Sequence, residues 1–574
     1  MFNIFCSKKY AFIALSIAIL LLAYTSDKVH AQSVPSPTDI PGSADPGRLD
    51  ADPDALLPRL PPPEITLPDG TVTTPQAPED AQDITFTLKT VRINGATAFT
   101  QEELADIYEP FIGQDIALSR AWEFAGQITE RYRAQGYFLS RAYIPAQEIG
   151  NGKITIAVIE GYINKVHLEN AEWESHVVEE LRQRITKTRP ISLKKLENAL
   201  LLLNDIPGLR FEAVLAPDDS LPEGAVDLVI RQDNRQGRGN LRLDNHGSRF
   251  TGPHQAAFAY EDSFLPLQQT SLSGIASIPG GNELYGVTLR HEARILPETS
   301  ALFSISKTRS NPGFTLSQFD IESQSFSWNV ELKQQLIRQR NQNLDAGLSF
   351  AYRNSDTDIL DTISSRDRIR AARAKLNYDG RGPFMGFNIV NLTLSRGIEG
   401  LGANNDGDAN LSRPAAEPDF TVINARWQRQ QFITPDWLLT STLAGQKSSK
   451  ALLASEEFGF GGPALGRAYD ASEITGDDGI AGSLEVSFTG LDPVWDFRLT
   501  PSVFYDIGKI WNHDDGQPNG LSAASAGVGM SVYHPSGFNG RMSLALPLTK
   551  PLDTPVQGNN GKNPRLFFQI GQRF

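Results

Sequence analysis

Cysteine is almost absent: Cys6 is the only one in 574 residues. A single thiol excludes a disulfide framework and any Cys-based zinc site. Cations are in deficit, with 53 Lys+Arg against 67 Asp+Glu and a formal charge of −14. This balance argues against a nucleic-acid partner, because neutralising phosphates takes an excess of Lys and Arg. After the N-terminus no apolar run approaches the ~20 residues of a membrane-spanning helix. A polytopic helical membrane protein is therefore excluded. A β-barrel is not, since its strands alternate and average out as polar. There is no GxxxxGK[ST] nucleotide loop, no HExxH pair among the eight His, and no G-x-S-x-G where a strand meets a helix. No catalytic residue, metal site or cofactor is expected.

What is present starts with an address. Lys8 and Lys9 precede an apolar run from Ala11 to Tyr24, and Val29-His30-Ala31 is a small-x-small cleavage site. Residues 1–31 read as a secretory signal peptide. Its removal takes Cys6, Lys8, Lys9, Lys28 and Asp27, leaving a cysteine-free chain of charge −16. Residues 32–82 carry twelve prolines and read as an extended periplasmic linker without a core.

From Ile84 the composition is globular. Ile84–Ile93 alternates and predicts one strand. Thr100 with Glu103 forms a capping box for a short helix. Leu118–Gln135 predicts a helix presenting Trp122, Ala125, Ile128 and Tyr132, and Gly136 stops it. Tyr137–Ile144 and Lys153–Ile159 predict two strands. The same βααββ order follows in Tyr162–Leu168, Glu172–Ile185, Ser192–Asn204, Arg210–Ala216 and Ala225–Arg231. Two tandem modules are expected, at 83–161 and 162–232.

After Asp233 helical spacing disappears. Phe326, Trp328, Val330 and Leu332 alternate with Ser327, Asn329, Glu331 and Lys333, and the pattern persists to the C-terminus. Candidate strands start near 240, 254, 269, 283, 299, 323, 342, 367, 384, 419, 436, 480, 495, 522, 538 and 564. Their number is even, as in bacterial outer-membrane barrels. Links such as Arg338–Asn341 and Thr434–Pro435 are short, while Asn311–Glu322, Asn354–Arg366, Gly397–Pro418 and Lys447–Gly479 read as long loops. The short rim lies where the modules enter, so the modules are expected in the periplasm. A sixteen-stranded transmembrane β-barrel over 233–574 is the expected fold. The final alternating strand ends on an aromatic, Phe574, the form of a barrel-assembly signal.

Gln135-Gly136-Tyr137, Ser140-Arg141-Ala142-Tyr143-Ile144-Pro145 and Ile159-Glu160-Gly161-Tyr162 resemble the polypeptide-transport-associated (POTRA) domain of the two-partner secretion transporters, the hemolysin or filamentous-haemagglutinin secretion/activation family. Asp244-Asn245-His246-Gly247-Ser248 looks like that family's first barrel strand and loop. The loop 447–479 matches the family's inward-folding loop through Gly466-Arg467-Ala468-Tyr469, with Ala468 where the family has Gly. Phe504-Tyr505-Asp506-Ile507-Gly508 matches its wall motif. Alternation independently points Phe504 and Asp506 into the lumen, where a carboxylate invites a cation. The resemblance implies a loop–barrel lock of Arg467, Tyr469, Phe504, Asp506 and Gly508. It implies export of an unfolded exoprotein without nucleotide hydrolysis, captured on a module edge. By analogy that edge is Tyr137, Phe138, Leu139, Ser140, Arg141, Ala142, Tyr143 and Ile144. The other implied partners are outer-membrane lipid and the barrel-assembly machinery. The rival reading is an outer-membrane protein assembly factor, which would share these motifs. Asn404-Asn405-Asp406-Gly407-Asp408 resembles part of a calcium loop but lacks its terminal Glu, and reads as a solvated outer loop.

Overall fold

The computed structural model describes residues 41–45, 48, 76–149, 151–170, 175–216, 220–278, 283–514, 519–556 and 560–574. The expected signal peptide, Cys6 and most of the linker lie outside the described residues.

The first module contains strands β1 (Thr85–Thr87), β2 (Thr90–Asn94) and β3 (Asp115–Ala117), helix α1 (Ser119–Ala134), and strands β4 (Arg141–Tyr143) and β5 (Lys153–Ile159). The stretch expected as one strand, Ile84–Ile93, is two. Leu88 bonds Gln114 and Gly113, so β1 pairs with β3 while β2 pairs in parallel with β5. The capping box forms: the Thr100 N–H donates to Glu103 at 2.8 Å and the Glu103 N–H to the Thr100 hydroxyl at 3.3 Å. It opens a 3-10 helix, Glu102–Ile107. α1 buries Phe124, Ala125, Ile128 and Tyr132 against Val91, Ile154 and Ile156 of the sheet.

The second module contains β6 (Tyr162–Glu169), α2 (His176–Lys187), α3 (Leu193–Asn204), β7 (Leu209–Ala216) and β8 (Ala225–Asn234), with sheet order β6-β8-β7. Ser175 caps α2 by accepting from the Val178 N–H. The modules are joined by packing: Phe138 and Leu139 of the first reach the apolar core of the second. The second module in turn rests on the barrel. Asp205 accepts from Arg338 at 2.6 and 2.8 Å, and its carbonyl accepts from Arg294 at 2.9 Å. Burial alone would raise the Asp205 carboxyl, but the Arg338 guanidinium outweighs it and holds the group below its ordinary value.

The remaining chain closes into a barrel of sixteen antiparallel strands, from Arg238–Asp244 to Arg565–Arg573. Each begins within five residues of the start expected from alternation. The last strand pairs with the first from Gln569↔Asp244 to Arg573↔Asn240, so no edge is left open to lipid. Exposure alternates as the pleat requires: Val503, Tyr505 and Ile507 face outward, while Ser502, Phe504 and Asp506 are buried on the inner side. Leu566 and Ile570 likewise face outward and Phe567 inward.

Two further expectations need correction. Asn354–Arg366 is not a long loop. Strands Gln342–Ile359 and Thr362–Arg381 run through it and turn on Leu360-Asp361, both at positive φ. The charges that made it look like a loop pair across the hairpin, Arg368 with Asp356 at 2.7 Å and Arg366 with Asp358 at 2.8 Å. The described linker residues 41–45 and 48 pack against the barrel instead of standing apart from it. Ala44 is buried among Phe250, Leu316, Phe319 and Ile359 at the outer loops, and Arg48 pairs with Glu457 of the inward loop at 2.8 Å.

Candidate functional site

Between strands Trp437–Ser448 and Asp478–Phe488 the chain folds into the lumen rather than outward. A ribbon of Phe458–Phe460 and Ile474–Gly476 forms its base. Phe460 lies against Gly508 of the wall strand Arg498–Trp511, where a Cβ would come within 2.3 Å of the ring. The tip turns at Gly466, φ +84°. Ala468, which stands where the resembled family has Gly, is not among the positive-φ residues, so its backbone does not need glycine. Its methyl packs with Phe504, Ala545 and Phe567.

Arg467 and Asp506 meet. The Arg467 Nε donates to Asp506 Oδ2 at 3.0 Å and Nη2 to Oδ1 at 2.8 Å. The Arg467 backbone N–H adds a third bond to Oδ2 at 2.9 Å. Asp506 is fully buried and Arg467 is 7% exposed. A pair this dry stabilises only if its remaining groups are satisfied. They are: Nη2 also donates to Ser483 at 3.0 Å, Nη1 to Glu485, and the guanidinium carbon lies 3.6 Å above the Phe504 ring. Glu485 is balanced by Arg541 at 2.7 and 2.9 Å. The Tyr469 hydroxyl lies 3.0 Å from the Ala524 carbonyl and 2.9 Å from that of Lys550.

Sequence reasoning missed part of this cluster. Glu485 and Ser483 lie on the same inner face of their strand, opposite Phe504 and Asp506 in register. An acid at an inner-face position was the available signal. Asp470, directly after Tyr469, pairs with Arg565 of the closing strand at 2.6 Å, and Arg565 also donates to the Ala468 carbonyl at 3.0 Å. The loop tip is thus held by the five consecutive strands from Asp478–Phe488 to Arg565–Arg573, while at the base Glu456 pairs with Arg373 of the facing strand Thr362–Arg381 at 2.7 Å. Along the opposite wall a lumen cavity of about 890 Å³ remains, lined by Arg290, Glu331, Lys333, Arg353, Arg373 and Lys375 among others.

Phe574 ends the chain at the seam, its N–H donating to the Gly239 carbonyl at 3.0 Å and its ring against Gly239.

The module edge Tyr137–Ile144 is not the continuous strand expected. Only Arg141–Tyr143 pairs with β5. Ser140 donates its N–H to the Tyr137 carbonyl in a turn, and its hydroxyl accepts from Gly161. Tyr137 packs inward on Tyr132, with Ile144 in the same core, while Phe138 and Leu139 serve the junction with the second module. The one edge-directed donor, the Ala142 N–H, is taken by the buried Thr129 hydroxyl at 2.9 Å. Glu160, which closes the module, accepts from the amides of Thr97 and Ala98 and from the Tyr132 hydroxyl, each at 2.7 Å. This is a structural clasp. Among the described residues, the outer-loop acids Glu399, Asp406 and Asp419 converge, but Asp419 is paired with Lys450 at 2.5 Å.

The profile of the family described as haemolysin secretion/activation protein ShlB/FhaC/HecB matches residues 224–532, and that of the ShlB-type POTRA domain matches 86–161. The heme/hemopexin transporter protein HuxB of Haemophilus influenzae is 23% identical over 536 residues, covering 88% of this chain and 90% of that protein. The outer membrane transporter CdiB of Dickeya dadantii is 22% identical over 505 residues, covering 82% of this chain and 85% of that one. The solved structure of CdiB from Escherichia coli superposes with a TM-score of 0.70 at 18% identity, over 88% of this chain and 93% of that one, and shares the fold.

Proposed function

Since the chain belongs to the haemolysin secretion/activation family of outer-membrane transporters, we propose that it exports one unfolded partner exoprotein, of adhesin or haemolysin type, through its barrel. The modules stand in the periplasm and capture the partner by strand addition, in which backbone bonds give affinity and tolerate many sequences. The barrel then conducts the extended chain outward. No nucleotide is spent, and folding outside biases the direction. The N-terminal 31 residues serve as the signal peptide, 32–82 as the linker, and Phe574 as the signal read by the barrel-assembly machinery.

The observation that carries this reading is the placement of the inward loop. Its tip is pinned to one side of the lumen by Arg467–Asp506 and Asp470–Arg565, its base reaches Arg373 of the other wall through Glu456, and a polar cavity remains between the base and that wall. The loop is not part of the sheet: ion pairs and a small apolar cluster around Phe460 hold it to the wall, so it can be released without dismantling the barrel. We read Arg467, Tyr469, Phe504, Asp506 and Gly508 as the lock. Deleting the gene tests the reading: one protein should vanish from the culture medium and return on complementation.

A further inference from the structure

The lumen cavity carries mostly one sign of charge on its wall. The barrel strands contribute Arg290, Lys333, Arg353, Arg373 and Lys375 to it against one acid, Glu331. The chain as a whole is acidic, at −14, so composition alone does not put cations here.

These cations are arranged in steps. Strand Gln342–Ile359 turns Gly347, Ser349, Ala351 and Arg353 to the lumen in succession, as alternation requires. Gly347 stands opposite both Lys333 and Lys375, and Ser349 opposite both Glu331 and Arg373. Arg290 reaches the level of Ala351 through Ser304 and Asn329. Each of these consecutive inward levels therefore holds a cation. Neighbouring levels are two residues apart, about 6.8 Å along a strand. An extended guest chain presents the side chains of one face at the same repeat.

The lower step keeps its counterions in the wall: Lys375 donates to Glu331 at 2.6 Å, and Lys333 lies 3.8 Å from Asp345. Arg373 differs. Its acid is Glu456 at 2.7 Å, which belongs to the base of the inward loop and has a side chain only 8% exposed. Within the wall Arg373 donates to the Ser395 hydroxyl at 3.2 Å. The loop thus lays one carboxylate on the cationic wall. Withdrawing the loop strands that cation, which is unfavourable, unless a carboxylate arriving on a guest replaces Glu456 like for like.

We propose that this wall is a track for acidic segments of the unfolded exoprotein, and that Glu456 holds the place of a guest carboxylate while the loop is in the lumen. This rests on the export reading above and names the substrate chemistry that the lumen favours. A cleft lined by one sign of charge concentrates the opposite sign. Ion pairs that stay partly wet are weak and exchange readily, so a guest carboxylate passes from step to step instead of staying.

The full chain in detergent is titrated with a fluorescent ten-residue peptide of alternating glutamate and serine, and with its counterpart of alternating lysine and serine. The native chain should bind the acidic peptide about tenfold more tightly, and the difference should shrink as salt rises from about 0.1 M to about 1 M. Glu456→Gln removes the competing carboxylate and should tighten acidic binding severalfold. Arg373→Gln should weaken it severalfold while barrel heat-modifiability is unchanged. Equal binding of the two peptides by the native chain overturns the proposal, whether or not either variant folds. So does Arg373→Gln binding the acidic peptide as the native chain does, and so does Glu456→Gln binding it no better. Lost acidic binding in Arg373→Gln with undiminished export also overturns the track as a selector, and leaves the export reading standing. A deletion that removes nothing from the medium sinks the export reading instead.

Discussion

Gly508 lies directly beneath the ring of Phe460, and a methyl group on it would come 2.3 Å from that ring. Phe460 is fully buried with Leu465, Tyr469 and Ile474, so the ring has nowhere to swing. Gly508→Ala should therefore lift the inward loop off the wall while leaving the lipid face untouched. Gly482→Ala is the control, since its nearest neighbour would be an ordinary 3.7 Å away. The expected result is faster proteolysis within 449–477 and reduced export for Gly508→Ala alone. Equal behaviour of the two variants would contradict the close-packing account.

The Arg467–Asp506 pair gives a sharper test. Truncating one partner of a buried pair costs about 3–5 kcal/mol, because the other charge is left stranded. Arg467→Ala and Asp506→Ala should each lose most export while heat-modifiable barrel still accumulates. Arg467→Lys should also fail, because a point charge cannot serve Asp506, Ser483 and Glu485 together. Full secretion by the two alanine variants would remove the lock from the mechanism.

The lipid face can be checked on the closing strand. Leu566 and Ile570 are exposed and Phe567 is buried, which sets Phe568 outward and Gln569 inward. An arginine on the lipid face costs up to about 2–4 kcal/mol near the midplane and less toward the rim. Phe568→Arg should lower the folded fraction far more than Gln569→Arg. Deletion of Phe574 should slow insertion and leave the finished barrel intact. The reverse order of the two arginine variants would mean a register shifted by one residue.

Acid should loosen the first module. Burial would raise the Glu160 carboxyl, but bonds from the Thr97 hydroxyl, the Ala98 and Thr97 amides and Tyr132 outweigh it and hold it below its usual range. A carboxylate lowered on folding adds stability above its unfolded value, about 4.3, and loses it as pH falls through the folded value. Protease protection of residues 84–161 in the full chain should be constant from pH 7 to pH 5 and fall below pH 4. Glu160→Gln should be less protected at pH 7 and show a shallower fall. An unchanged acid profile in that variant would assign the pH dependence elsewhere.

Much of this architecture was legible because alternation is a strong signal when one face meets lipid. It placed the sixteen strands and set Asp506 inward without any family resemblance. It failed where local pattern and pairing partner diverge. Ile84–Ile93 reads as one strand, but its apolar positions change phase between Leu88 and Val91, and there Leu88 hands the chain from β3 to β5. Asn354–Arg366 reads as a loop because Asp356, Asp358 and Arg366 interrupt the apolar alternation; paired across a hairpin, with Arg368 beside them, these charges extend the sheet. The strand expected over Tyr137–Ile144 is shorter for a third reason. Thr129, one helix earlier, closes it with a single hydroxyl, and nothing in the strand itself records that.

The central claim is export of one partner, and culture medium tests it most directly. Proteins in the medium are compared among the native strain, the deletion strain, and the deletion strain complemented with the full chain, Asp506→Ala, or a chain lacking 84–232. The account predicts that one large protein is lost on deletion, restored by the full chain, and not restored by either variant although both barrels insert. An unchanged medium, with other outer-membrane barrels depleted instead, would contradict it and favour an assembly role.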